Sequence, residues 1–173
     1  RKWDPDDKGT VDAGGGAVGM CMSLTERERR NWNKDKCKQN LAMTMAGKAA
    51  EIIKWGEDSV SNGPSGDIMQ ASAMARAMVM RWGMSDLIGN IDYSEAHEGY
   101  NGATGGFSVS AETKMKIEQE VKRLIDEGYD TARRILLDQN NAFEALAQGL
   151  VEHETLTGDE MRAVIAGETL GDE

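Results

Sequence analysis

Cysteine, histidine, aromatic side chains, clustered basic residues and long apolar runs are all scarce in this chain, and each shortage excludes something. Of 173 residues only Cys21 and Cys37 are cysteines. They have neither the Cys-x-x-Cys spacing of a zinc ribbon nor the density of a secreted disulfide scaffold, so a reducing cytoplasm fits best. No stretch approaches the roughly 18 apolar residues that a bilayer-spanning helix needs. Arg1-Lys2-Trp3-Asp4-Pro5-Asp6-Asp7 also lacks the apolar core of a signal peptide, so a soluble segment with no membrane contact of its own is expected. The formal net charge is -10, with a pI near 4.8, which argues against nucleic acid as a partner. The run Arg27 to Arg30 is broken by Glu28 and reads as a solvated turn. Aromatic residues make up 5% and methionines number eleven, a composition suited to helix packing rather than aromatic stacking. The only histidines are His97 and His153. A start at Arg rather than Met suggests a piece of something longer.

The length suits one domain. Residues 1–16 combine dense charge with Gly14-Gly15-Gly16 and are expected to be a flexible lead-in to a domain over residues 17–173. From Ala17 to Leu24 apolar residues alternate with Gly19, Cys21 and Ser23, the period-2 pattern of a half-buried strand, which needs a pairing neighbour. Helical spacing follows. Cys37, Leu41, Met45, Ala49 and Ile52 predict an amphipathic helix ending near Trp55-Gly56. Ile68, Ala71, Ala75, Met78, Val79 and Trp82 predict a second, capped by Ser65 and stopped by Gly83. Six glycines between residues 83 and 109 predict a large surface loop. Ser110 then caps a long helix with the stripe Ile117, Val121, Leu124, Ile125, Ala132, Ile135 and Leu136, which tolerates Gly128 at some cost. After a turn at Asp138-Gln139-Asn140-Asn141, another helix buries Phe143, Leu146, Leu150 and Val151. A last one opens at the capping box Thr157-Gly158-Asp159-Glu160. The fold class expected is mainly α with a small β element.

Little of this carries chemistry by itself. Asp67, in a first helical turn, has a structural explanation in its attraction to the helix N-terminus. Glu51 reads as a packing or salt-bridge residue more readily than a general base. His97, in the glycine-rich loop, and His153, near a helix end, have no ligand spacing with Cys21, Cys37 or Asp67. Gly47-Lys48 and Gly14-Gly15-Gly16 both lack the surrounding residues of a phosphate-binding loop, so ATP is not expected to bind here.

Context changes the reading of Asp67. Ser61-Asn62-Gly63-Pro64-Ser65-Gly66-Asp67-Ile68, then Ala75-Arg76-Ala77-Met78-Val79, then Trp82-Gly83-Met84-Ser85 resemble, in order and spacing, the peptidase domain of the FtsH family of ATP-dependent zinc metalloproteases. Met45-Ala46-Gly47-Lys48-Ala49-Ala50-Glu51, Ala17-Val18-Gly19, Glu118-Gln119-Glu120-Val121, Tyr129 with Ala132, and Glu154-Thr155-Leu156-Thr157-Gly158 extend the likeness over nearly everything after residue 16. Ala46, Lys48 and Ile52 depart from it, replacing a usual Gly, Arg and Glu.

The resemblance implies a helical FtsH-type peptidase fragment, the C-terminal part of that domain, with Asp67 as a zinc ligand. The family's His-Glu-x-x-His helix would lie upstream of this chain, supplying two histidine ligands and a general base. It implies that the strand at Ala17, Val18, Gly19 and Met20 binds extended protein substrates, with an ordinary covering strand as the alternative. For the parent it implies a zinc endopeptidase that degrades unfolded or membrane proteins. That parent would be a homo-hexamer anchored with this segment at the cytoplasmic face of a bacterial inner membrane, and ATP would bind in a separate ATPase domain. The 173 residues alone are expected to be inactive. A non-catalytic helical assembly module, or an inactive homologue, is the competing reading.

Overall fold

The computed structural model describes residues 8–11, 19–22, 32–94 and 109–170. It contains β1 (Lys8–Val11), β2 (Gly19–Met22), α1 (Lys34–Trp55), a short 3-10 turn (Glu57–Ser59), α2 (Ser65–Met80), α3 (Ala111–Asp138), α4 (Asn140–His153), β3 (Thr155–Thr157) and α5 (Gly158–Ala166). The mainly α expectation with a small β element holds. The chain divides into two compact units, one of residues 31–136 and the other of residues 1–30 with 137–173.

In the first unit, α1 opens at Asn33, whose side chain accepts from the Lys36 amide at 2.9 Å. It closes at Gly56, whose N–H reaches the Ile52 carbonyl. Cys37, Leu41, Met45 and Ala49 form its buried stripe and meet Ala71, Ala75, Met78 and Val79 of α2, with Ile117 and Leu124 of α3 in the same core. The spacing of these residues at three and four positions is what creates that face. Burial of each of the larger side chains contributes about 1.5–3 kcal/mol. Two expected members lie outside it: Ile68 and Trp82 are 41% and 46% exposed.

The cap of α2 also differs from expectation. Ser65 is the first helical residue, and the N-cap is Pro64, which gives no side-chain hydrogen bond. The fixed φ of proline, here -72°, suits this entry, so no hydroxyl cap is required. After α2 the chain turns at Gly83, where φ is +62° and an added Cβ would lie 2.7 Å from Asn90 Oδ1. The expected loop is described as far as Ser94 and is not featureless. Ser85 is 1% exposed, and the Tyr93 amide donates to the Met80 carbonyl at 2.8 Å.

α3 opens as expected at Ser110, whose Oγ accepts from the Thr113 amide at 3.1 Å. Gly128 has a specific task. A Cβ there would stand 3.1 Å from the Leu41 backbone carbon and 3.2 Å from the Ala42 nitrogen, so its absence lets α3 lie directly against α1.

In the second unit, a three-stranded antiparallel sheet has the order β2-β1-β3. Gly9 stands opposite Cys21 on one side and Leu156 on the other. A strand at Lys8–Val11 corrects the expectation of a flexible lead-in at those positions. Lys-Gly-Thr-Val has no alternation to announce it, and two neighbouring strands supply the pairing that propensity does not. The rest of residues 1–16 lies outside the described residues. Leu156 is fully buried, and Gly149 of α4 lies close to Leu156 and Val164. Val151, expected in the α4 stripe, is 76% exposed. α5 opens at the expected capping box: Thr157 accepts from the Glu160 amide while the Glu160 carboxylate accepts from the Thr157 amide.

Candidate metal-ligand segment

The residues leading to Asp67 are fastened link by link. From Gly56 the chain passes through the 3-10 turn and returns along α1, where the Ser61 amide donates to Glu51 Oε1 at 3.3 Å. Ser61 Oγ accepts from the Gly63 amide at 3.1 Å, closing a small hydroxyl turn. The Ser65 amide then donates to the Asn62 carbonyl at 3.1 Å, and the Ile68 amide to the Pro64 carbonyl at 2.9 Å, which starts α2. Asp67 therefore emerges in a first helical turn, where exposed amides and the helix dipole favour an anion.

Asp67 as a residue is half-buried. Its carboxylate Oδ2 lies 3.4 Å from the place a Cβ on Gly47 would occupy, so the bare backbone of α1 forms the floor beneath the carboxylate. No hydrogen bond or ion pair joins this carboxylate to another described residue. Glu51, one turn beyond Gly47, is held through Oε1, while its Oε2 is shielded from solvent and has no hydrogen-bond partner among the described residues. Neither Gly47 nor the Glu51–Ser61 link could be read from the sequence as parts of this segment. Their only signal was a spacing of four on one helix, which many non-functional pairs share.

The other candidates are not brought here. Cys37 is wholly buried in the core between α1 and α2, and burial raises its thiol pKa, keeping it protonated and a poor ligand. His153 is exposed in the last turn of α4, in the other unit. His97, Ala17 and Val18 lie outside the described residues. Gly19 and Met20 lie on β2, paired with Val11 and Thr10, and β2 is an edge of the sheet among the described strands.

The sequence model of Peptidase family M41 matches residues 2–164. The chain belongs to that family. It is 37% identical over 171 residues to a Rickettsia bellii protein named ATP-dependent zinc metalloprotease FtsH, covering 98% of this chain and 27% of that protein. A Caulobacter vibrioides protein of the same name is 39% identical over 168 residues, covering 95% and 27%. One from Protochlamydia amoebophila is 38% identical over 171 residues, covering 95% and 18%. The chain thus spans about a quarter or less of the length of these M41 relatives.

Zinc is the metal in the relatives' names. Among the described residues of this M41 chain, no three His, Cys, Asp or Glu side chains stand close enough to hold a metal ion. What they offer is one oxygen donor of suitable chemistry, the unpartnered Asp67 carboxylate. It fits a single corner of a zinc site, for which carboxylate oxygen is an ordinary ligand.

Proposed function

We propose that this chain is part of an ATP-dependent zinc metalloendopeptidase and that Asp67 donates one protein oxygen to its zinc. The observation that supports this is the carboxylate itself. Asp67 is half-buried and follows a run of hydrogen bonds from Ser61 into α2, and its carboxylate is set over side-chain-free Gly47 and unpartnered among the described residues. A carboxylate serving only the helix terminus would need no such floor. The remaining donors and the general base come from other parts of the parent polypeptide, of which the relatives' lengths leave ample room.

When bound in a peptidase, zinc polarises the scissile carbonyl and makes water nucleophilic at neutral pH. This chain's part is to hold its oxygen donor in place before the metal arrives, which limits the reorganisation that binding requires. Extended, unfolded protein is the substrate class, laid by main-chain hydrogen bonds along Ala17, Val18, Gly19 and Met20, of which Gly19 and Met20 belong to the edge strand β2. Such a mode reads little sequence, in keeping with general degradation. ATP binds in a separate domain of the parent, which assembles as a homo-hexamer at the cytoplasmic face of a bacterial inner membrane. No helix among the described residues is long and apolar enough to cross a membrane.

The test is Asp67→Asn in the full-length parent. Zinc affinity is expected to fall at least about tenfold, and hydrolysis of an unfolded protein to fall with it. Unchanged zinc content together with unchanged proteolysis would sink the ligand assignment and favour a non-catalytic assembly module. The 173 residues alone are expected neither to retain stoichiometric zinc nor to cleave protein.

A further inference from the structure

We propose that Glu51 is a positioning residue that clamps the Ser61–Asp67 segment onto α1 and thereby sets where the Asp67 carboxylate stands. The proposal rests on the assignment of Asp67 as a metal ligand. Three observations lead to it. Glu51 Oε1 accepts from the Ser61 amide across the turn that reverses the chain, a side-chain hydrogen bond that ties α1 to the segment leading to Asp67. From Ser61 the hydrogen bonds run without a gap through Gly63, Ser65 and Ile68 into the first turn of α2. Gly47, one turn before Glu51 on the same helix, lies beneath Asp67 Oδ2. One face of α1 therefore grips the segment at its start and supports its end.

Glu51 is poorly explained as a stabilising residue. It lies near the C-terminal end of α1, where the helix dipole disfavours an anion. Its Oε2 is shielded from solvent with no partner among the described residues, an arrangement that lowers stability. A glutamine would keep the acceptor for Ser61 without burying charge. An alanine would release the segment.

The experiment uses the full-length parent with Glu51→Ala, Glu51→Gln, Asp67→Asn and Ser61→Pro. The last deletes the amide donor, and with it the Oγ acceptor for Gly63, while leaving Glu51 intact; Val60 already has the extended backbone, with ψ of 121°, that a residue before proline adopts. Zinc affinity is read by competition with a chelator, and opening of the segment by amide hydrogen exchange at Ser61 and Gly63. Glu51→Ala is expected to speed that exchange about three- to tenfold and to weaken zinc about tenfold, in line with the loss of one anchoring hydrogen bond and of preorganisation. Glu51→Gln should return both to within about threefold of the parent. Ser61→Pro should weaken zinc at least as much, and Glu51→Ala should add nothing further on top of it, since Glu51 then has no Ser61 donor to hold. Should Glu51→Ala fail to fold, Glu51→Gln and Ser61→Pro decide the matter between them.

The clamp is overturned if Asp67→Asn loses zinc while both Glu51→Ala and Ser61→Pro bind it as the parent does. It is also overturned if Gly63 exchange is indifferent to Glu51→Ala. A lowered thermal midpoint with zinc affinity unchanged would make Glu51 merely structural and reject it too. Retention of zinc by Asp67→Asn, with exchange still quickened in Glu51→Ala, would instead remove the ligand assignment and leave a clamp that orders the segment.

Discussion

Ser85 shows what a single residue can conceal. It is a polar side chain in a loop that the sequence marks as surface, yet it is 1% exposed, and its hydroxyl donates to Glu120 Oε2 at 2.6 Å. Arg123 holds the same carboxylate with Nε at 2.8 Å and Nη2 at 3.1 Å, and also reaches Glu127, to which Lys38 donates at 2.8 Å. A loop, α3 and α1 are thus joined through two carboxylates, Glu120 and Glu127, that share Arg123. Ser85→Ala should cost about 1 kcal/mol, measured by urea unfolding, because Arg123 still satisfies Glu120. The Arg123 hydrogen bonds, chiefly, hold the Glu120 carboxyl below its usual pKa, with Ser85 adding to the effect against desolvation. A lowered folded-state value means that the contribution is fully present above the unfolded value of about 4.3 and is lost as pH falls through the folded one. Urea midpoints of Glu120→Gln should therefore depend less on acid than those of the parent chain. Sequence placed Ser85 and Glu120 in recognisable runs but could not pair them across 35 positions, since nothing in a polar residue's type names a distant partner.

Elements were easier to read than their partners. The stripe Cys37, Leu41, Met45 and Ala49 identifies α1 and its buried face, because a 3.6-residue period leaves few other structures able to bury those side chains. The caps at Ser110 and Thr157 are equally local, each made within three residues. The misreadings occur at element ends and edges. Ile68, Trp82 and Val151 continue an apolar period past the edge of what their neighbours cover, and periodicity carries no information about where that cover stops. Gly128 illustrates the same limit. In isolation a mid-helix glycine costs about 1 kcal/mol relative to alanine, and it reads as a tolerated defect. Against Leu41 it is the condition for close packing. Gly128→Ala is accordingly expected to destabilise by about 1–3 kcal/mol, reversing the helix-propensity gain, in a denaturation experiment. The metal-ligand segment was legible at Asp67 through its motif, whereas its support by Gly47 and Glu51 required the fold.

At the scale of the whole molecule, the two compact units give different kinds of stability. One has a helical core in which α1 and α2, neighbours along the chain, are joined by α3. The other depends on a sheet whose middle strand, Lys8–Val11, was invisible to pattern reading. Its existence depends on Leu156 and its neighbours at the far end of the sequence, and no local rule anticipates such a pairing. Removing residues 1–22 takes away β1 and β2 together and leaves β3 without its ladder. Hydrogen exchange should then quicken through α4 and α5, while amides of α1 and α2 keep their protection. A uniform loss across all four helices would show that the units do not unfold separately.

Because Gly9 pairs with Leu156, the sheet cannot be finished until the chain as far as Leu156 has left the ribosome. At about 5–20 residues per second, β1 and β2 wait roughly 7 to 30 seconds for β3, with one edge of the central strand unsatisfied throughout. The helices of residues 34–80 can meet well before then. Translation speed thus sets how long an open strand edge is available to the wrong neighbour, and slow synthesis or crowding by sister chains is when this sequence is most exposed to mispairing.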